Sequence, residues 1–392
     1  MKKLKFIEVS NKKFLHIANW YPNPWDNLEG NFVRDQIQVF AEEQAARVVA
    51  VQVRYASRFW PRLQRHALVG GAHGYFLLAR VRPGRVAEWL STLLLIAVLL
   101  RERAWKYDAL HFHIAYPLLM HSSLWRWLIR KPIFISEHWS AYHYKFHLPE
   151  GSRALERMRR LFQHCKVVFA VSEALLNDIR CFSPNAAYRG FVLPNVVPLH
   201  GASSSERPVP VLFAVNQWMP IKNPLPMLAG LNEAALAGHE FKLVIGGFGP
   251  MMDSMMEFVE TTALQKRTTF TGKLTKTQIG EQLAQTDGYL FSSDYETFSV
   301  ACAEALGAGV PLIGPHLDAI AEYAGPEEWE RVGNRDAEHW RRAIIQFLHR
   351  RAAAAFDRKA IAARAAKRFS SEALRARYCT ALEETVFREE SR

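Results

Sequence analysis

Short apolar runs that alternate with helically periodic segments set the tightest limit on what this chain can fold into. FLHIANW (14–20), RVVAVQV (47–53), GYFLLARV (74–81), ALHFHIA (109–115), PIFISEH (132–138) and VVFAVS (167–172) read as strands. Segments such as NFVRDQIQVFAEEQ (31–44) and ALERMRRLFQHC (154–165) read as the helices between them. Parallel strands need crossovers of this length, so the pattern implies an α/β sheet covered by helices. The stretch 192–210, VLPNVVPLHGASSSERPVP, is rich in Pro, Ser and Gly and reads as a linker. Alternation then restarts with VLFAVNQ (211–217), FKLVIGG (241–247), TTFTG (268–272), GYLFSS (288–293) and VPLIG (310–314). We therefore expect Rossmann-like domains at 1–198 and 199–370, with a site in the cleft between them. A helix at 371–392 should return toward the first domain.

Charge is unevenly spread. The chain of 392 residues carries a net +12, and its first 200 residues hold 28 Lys+Arg against 14 Asp+Glu. Eight of the eleven tryptophans also fall there, which points to an anionic partner for that half. The four cysteines show neither CxxC pairs nor metal-ligand spacing, and no signal-peptide pattern opens the chain. Both features suit a reduced, cytoplasmic protein. The run WLSTLLLIAVLL (89–100), flanked by Arg85, Arg101 and Arg103, is too short for a membrane span. It reads as a buried crossover helix or as an interfacial segment.

The stretch YETFSVACAEALGAGVP (295–311) places Glu296 and Glu304 in a turn and a following helix, directly after a strand. Free backbone N–H groups and the positive end of the helix dipole make such a turn an anion site. Two carboxylates bracketing it suit a ligand with a sugar, a diphosphate and a ribose. A helix-capping acid beside an unrelated surface glutamate is the alternative. His111 and His113 are expected on opposite sides of their strand, as hydrogen-bonded residues of the core or cleft edge and not as catalysts. His138, at a strand end, is the stronger candidate for a functional role.

The run from FTG (270–272) through SSDYETFSVACAEALGAGVPLIG resembles the donor-binding segment of family-4 (group 1) retaining glycosyltransferases of the GT-B fold. NWYPNPWDNLEGNFVRDQIQVF (19–40), DALHFHIAYP (108–117), PIFISEHWSAY (132–142), AVSEAL (170–175), VLPNVV (192–197) and LVIGGFGP (243–250) resemble further segments of that family. The resemblance implies a GT-B architecture, two Rossmann-like domains facing each other across a cleft. The N-terminal one would bind the acceptor and the C-terminal one the donor. It implies that Glu304 binds the ribose, that Glu296 contacts donor-sugar hydroxyls, and that amides around Phe298 and Ser299 meet the diphosphate. It further implies that Lys222 neutralises the leaving group and that His138 sits beside the reacting sugar. Gly30 would give a loop close access to phosphates, and Asn216, Gln217 and Gly247 would complete the substrate-binding set.

Two positions depart from the family pattern. Asn216 stands where an arginine six residues before the lysine is usual, and Gly30 is single where many members have a pair. No cofactor and no metal are implied; a nucleotide sugar such as a UDP- or GDP-sugar would be the substrate. Implied partners are a glycan or polyprenyl-pyrophosphate-linked acceptor in surface polysaccharide assembly and an anionic membrane surface, with no nucleic acid. Localisation would be cytoplasmic, peripheral at the inner face of the membrane. The basic patch expected to face the membrane is Arg54, Arg58, Arg62 and Arg65 with Tyr55, Phe59 and Trp60, followed by Arg80, Arg82 and Arg85. D-x-D, P-loop and G-x-G-x-x-G dinucleotide motifs are absent, which argues against metal-dependent GT-A transferases, P-loop NTPases and nicotinamide enzymes. Two alternatives remain open: a degenerate scaffold that binds sugar nucleotide or a partner without transfer, and a nucleotide-sugar hydrolase or epimerase.

Overall fold

The computed structural model describes residues 12–41, 45–57, 60–201 and 207–386. The chain divides into two compact units, one running to Val196 and including the segment from Ser371, the other Val197–Ser370.

The first unit is built on eight strands, β1 (Lys13–Ala18), β2 (Ala45–Tyr55), β3 (Arg62–Ala67), β4 (His73–Ala79), β5 (Ala109–His113), β6 (Ile133–Glu137), β7 (Val167–Ala170) and β8 (Arg189–Val192). Their order is β3-β4-β2-β1-β5-β6-β7-β8, and every pairing is parallel except that of β3 with β4. Central strands β5, β6 and β7 are buried along their whole length, as their unbroken apolar runs require when helices cover both faces. Helices α1 (Asn31–Ala41), α2 (Arg85–Arg101), α3 (Ser122–Arg126), α4 (Arg153–Arg159) and α5 (Glu173–Phe182) fill the connections. Ser172 caps α5 by accepting from the Leu175 N–H at 3.0 Å. The C-terminal helix Ser371–Val386 presents Leu374, Tyr378, Ala381 and Leu382 on one face, and they join a core with Phe14, Phe40, Phe134 and Phe169. Tyr378 stacks on Phe40 with 3.9 Å between ring centroids.

Two expectations need correction here. Residues two apart on a strand share a face, because side chains alternate with period two. His111 and His113 accordingly lie side by side, with ring centroids 4.4 Å apart, and His16 Nδ1 is 3.1 Å from His113 Nε2. His111 bonds to Ser136 Oγ at 2.9 Å and to the Tyr378 hydroxyl at 3.2 Å, so these imidazoles are polar ties within the core. The expected membrane patch is also different in substance. Arg54 turns inward to Glu29 at 2.8 Å, and Arg65 lies over the Tyr75 ring at 5.5 Å. Arg58 and Phe59 lie outside the described residues.

The second unit carries six parallel strands, β9 (Val211–Gln217), β10 (Lys242–Phe248), β11 (Thr268–Gly272), β12 (Gly288–Leu290), β13 (Leu312–Pro315) and β14 (Trp329–Val332), ordered β11-β10-β9-β12-β13-β14. Its helices are α6 (Pro224–Leu236), α7 (Met252–Glu260), α8 (Lys276–Ala284), α9 (Val300–Gly307), α10 (Asp318–Ala321), α11 (Ala337–Ala352) and α12 (Arg358–Phe369). Thr275 and Gln278 form a reciprocal capping box at the start of α8. Trp218, Leu231, Trp340 and Phe347 anchor the core between sheet and helices. In each sheet the strand order reverses at the centre, at β1/β5 and at β9/β12. Crevices at the carboxyl ends of strands beside such points are where open α/β sheets bind ligands.

Candidate active site

In the second unit, eight of the expected residues lie at the carboxyl ends of β9, β10 and β12 and in the segments that follow them. After β9 the chain makes a tight turn at Pro220–Lys222, and Asn223 enters the left-handed region (φ 40°) to start α6. That turn is fastened to the loop after β12. Ser292 Oγ donates to the Lys222 carbonyl at 2.6 Å, and the Asp294 N–H donates to the Ile221 carbonyl at 2.9 Å. The fastening aims Lys222 Nζ at Glu296 Oε1, 2.6 Å away, with both side chains largely buried. Ser293 Oγ donates to the same oxygen at 2.7 Å. Glu296 Oε2 has no hydrogen-bond partner among the described residues and remains able to accept from a ligand hydroxyl.

Glu296 is followed by the start of α9. Ser299 holds φ 61° at the position before Val300, an uncommon conformation for a residue with a side chain. Phe298 is buried, its ring is packed against Tyr323 and Phe369, and its carbonyl accepts from the Tyr323 hydroxyl at 2.7 Å. What this turn offers to an anion is therefore backbone N–H, and the side chain of Phe298 belongs to the core. Glu304 lies on the second turn of α9 and is buried.

Asn216 and Gln217 end β9 and pair in register with Gly247 and Phe248 of β10. A Cβ on Gly247, at φ 110°, would stand 1.9 Å from the Asn216 carbonyl oxygen, so this strand end closes only around glycine. The strand ends are further locked by Trp218, whose Nε1 donates to the Gly246 carbonyl at 2.8 Å. Arg335 reaches the same region, with Nε 3.4 Å from Asp294 Oδ1. It is a cation that no local motif of the sequence flags.

Gly30 and His138 belong to the first unit. Gly30 (φ 64°) precedes α1, and a Cβ there would stand 2.5 Å from the Trp20 carbonyl carbon. His138 follows β6, is buried, and lies 4.9 Å from the Phe32 ring. Burial pushes its pKa down to about 3, with the neighbouring Asn195 side chain pulling the other way, so the imidazole is neutral at physiological pH. The preceding residue, Glu137, is fully buried, and burial raises its pKa to about 7 despite donors from Tyr142, Ala115, His138 and Trp139. Tyr142 Oη lies 2.6 Å and the Ala115 N–H nitrogen 2.7 Å from Glu137 Oε1. A charged residue at the end of the apolar run PIFISEH was the available signal for it.

A cavity of ≈ 460 Å³ opens at the carboxyl ends of β1 and β2, lined by Asn19, Glu29, Gln52, Arg54, Glu88 and Tyr116 among others. Glu29 binds Gln52 Nε2 at 3.0 Å, Arg54 Nη1 at 2.8 Å and Asn23 Nδ2 at 2.9 Å. Across the cavity Glu88 pairs with Arg157 and accepts from the Tyr116 hydroxyl at 3.2 Å. These groups come from separate segments, so no spacing in the sequence announced them.

In the second unit a turn at the start of α9 and Glu296 set beside Lys222 form the candidate site, and comparison with known proteins gives the family. Residues 36–200 match the model described as Glycosyltransferase Family 4, and residues 207–368 match that described as Glycosyl transferases group 1. The chain belongs to the family-4, group 1 glycosyltransferases and has the GT-B fold. It is similar to N-acetyl-alpha-D-glucosaminyl L-malate synthase of Bacillus anthracis, 25% identical over 169 residues, a match spanning 40% of this chain and 43% of that protein's own length. Among solved structures, sucrose-phosphate synthase from Thermosynechococcus elongatus superposes with TM-score 0.73 at 16% identity, covering 96% of this chain and all (100%) of the other. HepE of Anabaena in complex with UDP and glucose gives TM-score 0.68 at 15% identity, covering 95% and 100%. The lipopolysaccharide outer core galactosyltransferase WaaB gives 0.67 at 13% identity, covering 95% and 99%.

Proposed function

We propose that this chain is a retaining, metal-independent glycosyltransferase that moves a sugar from a nucleotide sugar to a glycan or lipid-linked acceptor. The observation that carries the reading is the 2.6 Å pairing of Lys222 with Glu296 at the mouth of α9. Cleaving a sugar–phosphate bond builds negative charge on the departing diphosphate. A lysine ammonium and the N–H groups of Ser299 and the first turn of α9 would meet that charge, preorganised and partly desolvated. Glu296 Oε2 would accept from donor-sugar hydroxyls while Oε1 holds Lys222 in place. Glu304 would accept from the ribose.

Retention follows if the leaving diphosphate takes the proton from the acceptor hydroxyl on the face it vacates. His138, held neutral, can both donate and accept a hydrogen bond, which suits a group positioned against sugar hydroxyls. The cavity around Glu29, Gln52 and Arg54 is the acceptor pocket in this reading, because its clustered donors and acceptors match a hydroxyl-rich ligand. HepE is described with UDP and glucose, so UDP-glucose is the first donor to try. We place the enzyme on the cytoplasmic side of the membrane, in surface polysaccharide assembly.

The test is release of nucleoside diphosphate from labelled UDP- and GDP-sugars with a polyprenyl-linked acceptor in EDTA. Full activity supports the reading, and strict dependence on Mn²⁺ or Mg²⁺ contradicts it. Asn216, at the position of the family's usual arginine, motivates a second reading, a scaffold that binds donor without transfer. Tight donor binding with no turnover on any acceptor would favour it.

A further inference from the structure

Helix α2 is apolar on both faces, and between its terminal arginines the polar residues lie on the buried one. Its buried residues include Glu88, Ser91 and Thr92 alongside Leu94, Leu95, Val98 and Leu99. The hydroxyls of Ser91 and Thr92 bond to the helix's own carbonyls at Ala87 and Glu88, at 2.8 and 3.0 Å, which is what makes them tolerable inside. The outward face is apolar. Val86, Trp89, Leu93 and Leu100 are 62%, 46%, 58% and 43% exposed, and Ala97 between them is exposed too. Spacings of three and four residues put all five on one stripe about 21 Å long.

Cations flank that stripe at both ends. Arg82 and Arg85 stand at its amino end, Arg101, Arg103 and Lys106 at its carboxyl end. The acids of the helix and its C-cap point elsewhere: Glu88 is buried and paired with Arg157, and Glu102 is bonded to Arg47 and Tyr75; Asp108, two residues beyond Lys106, accepts from the Lys13 N–H. An apolar stripe with cations at both ends and no exposed carboxylate on the helix itself matches an anionic lipid surface, where apolar side chains enter the acyl boundary and arginines meet headgroups. A second copy of the chain fits poorly. Two such helices paired about a two-fold axis, parallel or antiparallel, would set cationic ends against cationic ends. No helix among the described residues is long and apolar enough to cross a membrane, so the contact would be peripheral.

We propose that the outer face of α2 lies on anionic phospholipid and that the acceptor is carried by that bilayer. Gly84, Ala87, Glu88 and Ser91 of the same segment line the ≈ 460 Å³ cavity. The helix that rests on the lipid thus forms one wall of the acceptor pocket, and a lipid-anchored glycan head would enter from the membrane side. This second half rests on the acceptor reading given above; the docking surface does not.

The experiment uses the full chain and co-sedimentation with vesicles of phosphatidylcholine alone or mixed with phosphatidylglycerol. Wild type should bind only the anionic vesicles and be released by salt. Val86→Asp and Leu93→Asp, each on the solvent side and outside the cavity, should weaken binding at least about ten-fold. Arg82→Glu and Arg85→Glu should each weaken it roughly five-fold or more. Unchanged thermal unfolding would show that the variants remain folded. The aspartate variants should keep wild-type transfer to a water-soluble acceptor and lose it toward a vesicle-borne one. Vesicle binding that ignores all four substitutions overturns the proposal, as does a wild-type dimer that Leu93→Asp dissociates with no lipid binding. Binding lost in these variants with no transfer to any acceptor would uphold the docking surface and defeat the transferase reading instead.

Discussion

Lys222 and Glu296 are 74 residues apart in the chain, yet Nζ and Oε1 meet at 2.6 Å, held by a turn after β9 and a loop after β12 that hydrogen bond to each other. The pair couples the two chemical tasks proposed for the donor site. Glu296 orients the lysine, and the lysine holds the carboxylate in place where the sugar is proposed to bind.

Separate substitutions should therefore separate binding from turnover. Lys222→Ala should lower kcat by ~10²–10³ with a small change in KM, because a charge that meets the leaving group acts mainly in the transition state. Glu304→Ala should raise the donor KM instead. Asn216→Arg should raise turnover if one phosphate cation is missing. Steady-state kinetics with varied donor concentration check all three.

Glycine at 247 should be irreplaceable where glycine at 272 is not. Gly247→Ala would place Cβ 1.9 Å from a backbone oxygen at φ 110°, whereas a Cβ on Gly272, at φ 67°, meets nothing within 4 Å. Gly272→Ala should cost about 1 kcal/mol from the left-handed backbone alone, and Gly247→Ala about 3 kcal/mol or more with loss of donor binding. Chemical unfolding of the second unit measures the difference.

Buried groups near β6 should give the first unit a defined pH dependence. Glu137, raised from 4.5 to about 7, stays protonated when folded while the unfolded chain has lost that proton, so it adds stability as pH falls from 7 toward 4.5. His138, lowered from 6.5 to about 3, stays neutral when folded while the unfolded chain binds a proton, so it loses stability as pH falls below 6.5. Between pH 6.5 and 5 each contributes about 2 kcal/mol of opposite sign and they nearly cancel. His111 and His113, both driven down by burial, tip the balance toward acid destabilisation. Glu137→Gln should make the fall in Tm from pH 6.5 to 5 steeper, and His138→Asn should make it shallower. Tryptophan fluorescence follows the transition, since eight of the eleven tryptophans lie in the first 200 residues.

Much of the fold is legible in the residues because fully buried parallel strands are unbroken apolar runs. VLFAVNQ, apolar over its first five residues, coincides with β9 to the residue. Strand β3 escapes such a reading because RLQRHA is an edge strand with no buried residue and no apolar run. The residues proposed for the donor site, Lys222, Glu296, Phe298, Ser299 and Glu304, can each be named from local motifs. The contact between Lys222 and Glu296 cannot, since it depends on how β9 and β12 are paired. The cluster of Glu29, Gln52 and Arg54 needs the same tertiary knowledge. For α2, apolar residues on both faces leave the periodicity silent about which face turns inward. Buried Glu88, Ser91 and Thr92 settle it against the simple expectation of a helix covered on all sides.

Stereochemistry of transfer tests the central claim most directly. Incubating wild type with an α-linked nucleotide sugar and acceptor in EDTA, then reading the anomeric proton of the product by NMR, yields one unambiguous signal. The account predicts an α-linked product formed without metal, with formation slowed by ~10²–10³ in Lys222→Ala. A β-linked product, or an α-linked product formed at the wild-type rate by Lys222→Ala, would contradict it.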